Sequence, residues 1–205
     1  MMLGGIWVVM DKQAWEIFDL WFKGKAPSDV TFDSAEWASY MGAAEGLSEQ
    51  IRNQLTAHAE SLRDLVNRAG NQQDNFHVNF HAEVGGKYGG YTTGYQVLHG
   101  SNRNVGDFEI TGRFTAVRRG VPGTAYTVTY DNLVFIFNDI VDINKQYKMD
   151  VSLGQVAANM ARCLDTGPPK DYVLHIKWAA TKPTNVEVEP TLQTQAPRKR
   201  GATAN

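Results

Sequence analysis

The feature that most constrains the fold is a long strand predicted from Tyr126 to Phe137. Its second half, residues 133–137, is a continuous apolar run, which is typical of a strand buried inside a protein. A dense group of polar residues follows directly, over residues 138–150. Because a buried strand holds the loop after it rigidly, the sequence predicts that any catalytic or ion-binding site lies at this point.

Length and composition are those of an ordinary globular domain. The chain has 205 residues, of which 42% are hydrophobic and 11% are aromatic. A formal net charge of −2 argues against a general nucleic-acid-binding protein, so we expect no nucleic-acid partner. The single cysteine, Cys163, excludes an internal disulfide and falls on the apolar face of a predicted helix.

The first residues of the chain do not have the features of a secretory signal peptide. The apolar segment from Ile6 to Met10 is short and lacks a basic region before it and a small-residue cleavage site. No stretch approaches the roughly 20 apolar residues that a membrane span needs. If the protein acts outside its producing cell, we expect delivery machinery to carry it or a larger parent chain to release it.

Periodicity predicts an α+β fold, in which N-terminal helices pack beside an antiparallel β-meander that is followed by one helix and one strand. The predicted helices cover residues 12–23, 34–41, 48–69 and 152–164. The predicted strands cover residues 75–82, 95–99, 107–118, 126–137 and 172–178. The domain then divides into a helical part at residues 1–70 and a sheet part at residues 71–180. Residues 181–205, rich in Pro, Thr and Gln, are predicted to be a disordered tail.

Two local patterns add detail to this outline. Gly112 interrupts the apolar face of its strand, which predicts a bulge or a close approach of two backbones. Aromatic residues recur at helical spacing in the first two helices, and such residues pack in a core more often than they face a membrane or a sugar. These aromatic residues are Trp15, Phe18, Trp21, Phe22, Trp37 and Tyr40.

The polar segment after the central strand is the first candidate site. Asp139 and Asp142 lie three residues apart, and a close pair of carboxylates can divide the roles of base and acid. Together with Asp150 they also suit Mg²⁺ or Ca²⁺, because these ions prefer oxygen ligands. The alternative, which fits the pattern equally well, is a polar loop whose Asp and Asn residues only turn the chain.

Three further residues of this segment and one histidine outside it complete the predicted catalytic set. Asn144 would orient the two carboxylates, and Tyr147 and Lys148 would contact an anionic head group. His99 ends the predicted strand 95–99. If that strand neighbours the strand 126–137, His99 would approach the acidic loop.

Two other histidines, His77 and His81, lie four residues apart. On a helix they would share a face, but their alternation with apolar residues predicts a strand, where four residues span roughly 13 Å. One metal ion cannot be bound by both across that distance. We therefore expect both histidines to face solvent or a partner.

Two segments resemble the toxin domains at the ends of bacterial polymorphic and contact-delivered toxins. The first is residues 98–101 followed by 106–114, and the second is residues 126–130 leading into 138–144. A glycine-bearing strand, a long strand and then an acidic loop follow one another, which is similar to the end of colicin M-like toxins. The resemblance covers residues 95–150.

The catalytic signature of colicin M-like toxins is Asp-x-Tyr-Asp-x-x-x-x-His-Arg. Its two aspartates match Asp139 and Asp142, whereas Val141, Tyr147 and Lys148 stand in place of the tyrosine, the histidine and the arginine. Tyrosine has an ordinary pKa of about 10 and is a poor acid–base group at neutral pH. The sequence therefore favours a relative with altered chemistry.

The resemblance implies an antibacterial toxin or effector that is secreted or delivered to the periplasm of a target cell. Colicin M-like toxins cleave the lipid II precursor of peptidoglycan. We therefore expect hydrolysis of a lipid-linked or phosphorylated cell-wall precursor, a phosphoesterase-like reaction, and a cognate immunity protein as a partner. The alternatives are a non-enzymatic binding or assembly protein of a secretion apparatus, virion or immunity system, and a membrane-disrupting toxin that uses the aromatic helices.

Overall fold

The computed structural model describes residues 12–43, 45–83, 104–141 and 170–190. The helices in these ranges are α1 (Lys12–Phe22), α2 (Ala35–Gly42), α3 (Glu45–Ser61) and α4 (Arg63–Ala69). The strands are β1 (Asp29–Phe32), β2 (Gln72–Glu83), β3 (Asn104–Arg118), β4 (Tyr126–Val141), β5 (Tyr172–Ala179) and β6 (Thr184–Val188). The α+β class predicted from the sequence is confirmed.

The strands form one six-stranded sheet in the order β1-β5-β4-β3-β2, and β6 pairs with the first part of β4. β2, β3 and β4 are the antiparallel meander that the sequence predicts. β1 runs parallel to β5, so the sheet is mixed. β1 lies between the predicted helices 12–23 and 34–41, where the sequence predicts no strand. A strand of four residues is too short to show a clear alternation.

β6 corrects the predicted boundary of the disordered tail. Its residues pair with Tyr126–Tyr130 of β4, and Val188 is buried. Just beyond it, Arg63 Nη1 on α4 donates a hydrogen bond to Glu189 O over 2.6 Å. The expected disorder is therefore wrong for residues 184–188, because pairing with β4 orders a segment whose own sequence is polar.

Several predicted elements lie outside the described residues. They are the strand 95–99, the helix 152–164 with Cys163, and residues 191–205 of the tail. The predicted helix 48–69 is described and consists of two helices, α3 and α4, separated at Leu62. Gly70 ends α4 with a φ of 78°, a left-handed conformation that glycine adopts without steric cost.

The inner face of the sheet packs against the helices. Three tyrosine hydroxyl groups cross this boundary and donate to helix carbonyls: Tyr126 to Ala59, Tyr130 to Leu55 and Tyr172 to Ile17, over 2.5, 2.8 and 2.9 Å. A buried hydroxyl without a partner would destabilise the fold, so these bonds fix the position of α1 and α3 on the sheet.

The aromatic residues of α1 and α2 belong to the core, as the sequence predicts. Phe18, Trp21 and Trp37 are buried, and the Trp21 indole also donates to Asp171 Oδ1 over 2.9 Å. The other aromatic residues of this set, Trp15, Phe22 and Tyr40, are partly buried and pack against the same core. None of the helices in the described ranges combines the length and the hydrophobicity of a membrane-crossing helix.

The bulge predicted at Gly112 is present. Gly112 lies opposite two residues of β4, Asn132 and Leu133, and Asn132 adopts a φ of 52°. A Cβ atom at position 112 would lie 2.8 Å from Leu133 Cδ2 and 2.9 Å from Asp131 O. Only glycine avoids this clash, so the prediction of a close approach is also confirmed.

The bulge determines which side chains of β4 face the helices. Before it the inward residues are Tyr126, Val128 and Tyr130, and after it they are Leu133, Phe135 and Phe137. The extra residue thus changes the inward positions from even to odd numbers. If the same sequence continued in unbroken alternation, with no bulge, the apolar residues of the second half would face away from the core.

Candidate active site

Asp139 lies two residues before the end of β4, and its backbone is paired with the neighbouring strand β5. Asn138, the residue before it, pairs with Asp107 on β3 and with His175 on β5. Asp139 itself pairs with Leu174 of β5, and its Oδ1 accepts a hydrogen bond from the Ile140 N–H over 2.8 Å. The pairing agrees with the expectation that the apolar strand positions this carboxylate rigidly.

Alternation decides the face on which Asp139 lies. Phe137 and Val141 are fully buried, and Asp139 shares their side of the strand. Asn138 and Ile140 point to the opposite, outer face, where Ile140 is exposed. Asp139 therefore lies on the inner face of the sheet at the edge of the core, where its side chain is half-buried.

The chain returns to the sheet beside this point. Tyr172, the first residue of β5, pairs with Val141, the last residue of β4. The segment before β5 is tied to α1, because the Lys170 N–H donates to Trp21 O over 3.2 Å and the Trp21 indole donates to Asp171. Residues 142–169 therefore leave and rejoin the sheet at adjacent strand ends, both of which are fixed.

Of the predicted site residues, the structure describes Asp139. The others lie outside the described ranges: His99, Asp142, Asn144, Tyr147, Lys148 and Asp150. Both sides of β4 are taken by other strands over residues 126–130 and 134–138, with β3 on one side and β5 or β6 on the other. The positions beside β4 that the predicted strand 95–99 would need at these residues are therefore taken by β3, β5 and β6.

Of the three predicted metal ligands, Asp139 alone lies in the described residues, and one ligand does not make a metal site. Within the described ranges, no group of three His, Cys, Asp or Glu side chains is close enough to hold a metal ion. Asp142 and Asp150, the other two predicted ligands, lie outside these ranges. The magnesium or calcium site stays a prediction.

Sequence reasoning missed a hydrogen-bonded chain on the outer face, beside Asp139. His175 Nδ1 lies 2.5 Å from Asn138 Oδ1, and its Nε2 lies 3.2 Å from Asp29 Oδ2. We call these residues the Asp29–His175–Asn138 chain. The alternation in β5 places His175 among the polar residues of that strand, and this was the signal that could have identified it. Asp29 lies between the predicted helices 12–23 and 34–41, where no strand was predicted. Its proximity depends on the parallel pairing of β1 with β5.

The two other histidines of the outer face also pair with acids. His77 Nε2 lies 3.2 Å from Glu109 Oε1, and His81 Nδ1 lies 3.1 Å from Asp107 Oδ1. Both histidines are exposed, which confirms the prediction that they face away from the core. His81, Asp107, Asn138 and His175 are in register, so they form one polar row across four strands.

Comparison with known proteins gives matches among solved structures only. No protein-family model matches the sequence, and no curated protein matches it. PaeM, a colicin M-like bacteriocin produced by Pseudomonas aeruginosa, is 9% identical with a TM-score of 0.44, covering 86% of this chain and 50% of PaeM. Truncated bacteriocin syringacin M from Pseudomonas syringae pv. tomato DC3000 is 14% identical with a TM-score of 0.40, covering 80% and 65%.

This chain therefore spans half of the first of these solved chains and less than two thirds of the second. The weak resemblance to colicin M-like toxins that residues 95–150 indicate is confirmed at this low level of identity.

Proposed function

We propose that this chain is an antibacterial toxin domain that acts at the cell envelope and hydrolyses a lipid-linked, phosphorylated cell-wall precursor. The observation that carries the proposal is the placement of Asp139, the residue that matches the first aspartate of the colicin M-like signature. It stands at the end of the central strand, next to a residue that is paired on both sides. A catalytic carboxylate needs such a fixed position.

The proposed reaction needs an acid and a base near a phosphate. Asp139 and Asp142 supply this pair, or they join Asp150 in holding Mg²⁺ or Ca²⁺, which would neutralise the negative charge of the phosphate. Asn144 is assigned to orienting the acids, and Tyr147 and Lys148 are assigned to contacting the head group. The half-matched signature supports the aspartates most directly, because these are the positions at which this chain keeps the residues of the family.

The first test replaces Asp139 by asparagine. The amide keeps an oxygen that can accept the hydrogen bond from the Ile140 N–H, but it loses the negative charge and with it most of the basicity. We expect killing after export to the periplasm to fall by about 100-fold or more, since general acid–base groups contribute that much. The melting temperature should stay close to that of the wild type. Asp142→Asn should have the same effect.

Asp74→Asn is a matched control for Asp139→Asn. Asp74 Oδ1 accepts a hydrogen bond from the Asn75 N–H over 2.7 Å, the same local arrangement as at Asp139, but on β2. This variant should kill as efficiently as the wild type. An Asp139→Asn protein that is as toxic as the wild type would end the catalytic assignment of Asp139.

The place of action and the reaction are tested separately. The wild-type protein should kill when it is exported to the periplasm and not when it is kept in the cytoplasm. Purified protein should release a water-soluble phosphorylated head group from lipid II in detergent. Killing without release would exclude hydrolysis of this substrate. A wild-type protein that harms cells from neither compartment would instead favour the non-enzymatic binding or assembly protein.

A further inference from the structure

We propose that His175 is a positioning residue for Asp139, acting through the side chain of Asn138 and held in its own orientation by Asp29. This inference rests on the proposed function, because it deepens the description of the same site. His175 lies on the outer face of the sheet, opposite to the inner face on which Asp139 lies. It acts on Asn138, the residue immediately before Asp139.

The position of Asn138 explains why a side-chain bond matters there. Among the described residues, Asp107↔Asn138 is the last pair between β3 and β4, and the described pairs of β4 beyond Asn138 are with β5. The bond from His175 to Asn138 joins β4 and β5 at the residue where support from β3 ends. It adds a side-chain constraint at the residue where the described backbone ladder with β3 ends.

Asp29 supplies the second constraint on the imidazole ring. β1 is four residues long and lies at the edge of the sheet, next to β5. Its carboxylate faces Nε2, so the ring is held at both nitrogens, by β1 on one side and by β4 on the other. The His175 side chain is 29% exposed and its bond to Asn138 is partly buried, which strengthens that bond, whereas Asp29 is 62% exposed and its contact with Nε2 lies at the surface. The Asp29–His175–Asn138 chain thus ties three strands together beside Asp139.

The two ring nitrogens can be replaced one at a time. In His175→Asn, the side-chain amide takes the place of Nδ1 and can still form a hydrogen bond with the Asn138 side chain, but it is too short to reach Asp29. In His175→Gln, the amide takes the place of Nε2 and can reach Asp29, but the hydrogen bond with Asn138 is lost. If His175 acts through Asn138, these two variants must behave differently.

The experiment measures periplasmic killing, melting temperature and amide hydrogen exchange for the wild type, His175→Asn, His175→Gln and His175→Ala. We expect His175→Gln and His175→Ala to lose activity by about tenfold or more, because small displacements of a catalytic group are costly. His175→Asn should stay within about threefold of the wild type, since it keeps the bond to Asn138. Exchange at the amides of residues 139–141 should speed up in the same two variants that lose activity.

His81 provides the matched control. It lies in the same polar row and pairs with a carboxylate over 3.1 Å, but it contacts Asp107 rather than Asn138. His81→Asn, His81→Gln and His81→Ala should leave killing and exchange at residues 139–141 unchanged. Loss of activity in these variants as well would show that the outer face acts as a whole, and would overturn the specific role of His175.

The possible failures can be told apart. Full activity and normal exchange in His175→Gln and His175→Ala would overturn this inference and leave the role of Asp139 intact. Activity that follows melting temperature alone, with His175→Asn no better than His175→Gln, would reduce His175 to a structural residue. If Asp139→Asn remains toxic, the proposed function fails, while the exchange measurement still reports whether His175 holds the end of β4.

Discussion

The two faces of the sheet obey the same alternation but are built from different chemistry. On the inner face, large apolar and tyrosine side chains pack under the helices, and Phe108, Ile110 and Tyr130 are fully buried. On the outer face, Glu109 and His77 form an ion pair that is exposed to solvent. The inner face therefore supplies the stability of the fold, and the outer face can change without unfolding it.

Histidine shows the contrast most directly. His58 lies on the inner side, between the rings of Phe76 and Phe114, with centroid distances of 4.7 and 4.9 Å. Its Nδ1 lies 2.8 Å from the Tyr130 hydroxyl, which itself donates to Leu55 O. Burial lowers the pKa of His58. The described outer-face histidines instead pair with carboxylate or amide oxygens, so the same residue type is kept neutral on one face and bonded to acids on the other.

The largest expected effect comes from two neighbouring residues of β3 that point to opposite faces. Phe108→Ala should lower the free energy of unfolding by about 3–5 kcal/mol, the usual result of removing a buried aromatic ring. Glu109→Ala should change it by no more than about 1 kcal/mol, because its ion pair with His77 is exposed. Urea unfolding of both variants measures the difference. Similar losses for the two would show that a partner or another part of the chain covers the outer face.

A smaller effect is expected from removing β6, which also has two faces. Val188 is buried, whereas Glu187 forms an exposed ion pair with Arg119 over 2.8 Å. A chain ending at residue 183 should lose about 2 kcal/mol or more, mainly through the exposure of Val188 and of the edge of β4. A chain ending at residue 190 keeps β6 and should have the same melting temperature as the full-length protein. Equal melting temperatures for the two shortened chains would mean that β6 contributes nothing.

The smallest effect concerns the pH dependence that His58 gives to stability. Because burial lowers its pKa in the folded state, the unfolded chain binds the proton more readily. The contribution of His58 to stability is therefore complete at neutral pH. It is lost as the pH falls below the ordinary value of about 6.5, and the loss continues until the pH reaches the lowered pKa of the folded state.

The test compares melting temperatures of the wild type and His58→Gln between about pH 7.5 and about pH 5. Glutamine is neutral throughout this range, and both proteins keep every other histidine, so the difference between their profiles isolates His58. The wild type should lose more stability on acidification than the variant. Parallel profiles, or a steeper loss in the variant, would contradict the assignment of His58 as a buried neutral residue.

The sequence predicted elements whose periodicity extends over many residues. β3 and β5 were predicted because apolar and polar residues alternate along them, and β4 was predicted with the help of its continuous apolar run. Gly112 marked the bulge. β1 was missed because its partner, β5, is distant in the sequence and its four residues show no clear pattern. β6 was missed because a polar composition conceals the single buried valine that attaches it to the sheet.

The candidate site could be predicted only where it follows from the chain itself. The fixed position of Asp139 follows from the apolar run before it. The face of the sheet on which Asp139 lies does not follow from that run, because the face depends on the number of residues in the bulge. The Asp29–His175–Asn138 chain joins residues that are 37 and 146 positions apart, and no local pattern indicates such a contact.

The bulge at Asn132 makes one position of β4 tolerant of deletion and leaves the rest of its second half sensitive to it. Deleting Asn132 would remove only the extra residue, so Leu133, Phe137 and Asp139 would stay on the inner face. Deleting one residue between 134 and 137, where the pairing has no bulge, would instead turn Asn138 toward the helices and Asp139 toward the outer face, beside the histidines. The loss of a single codon within the strand can thus exchange the side on which the carboxylate is presented, a change that point substitution cannot make in one step.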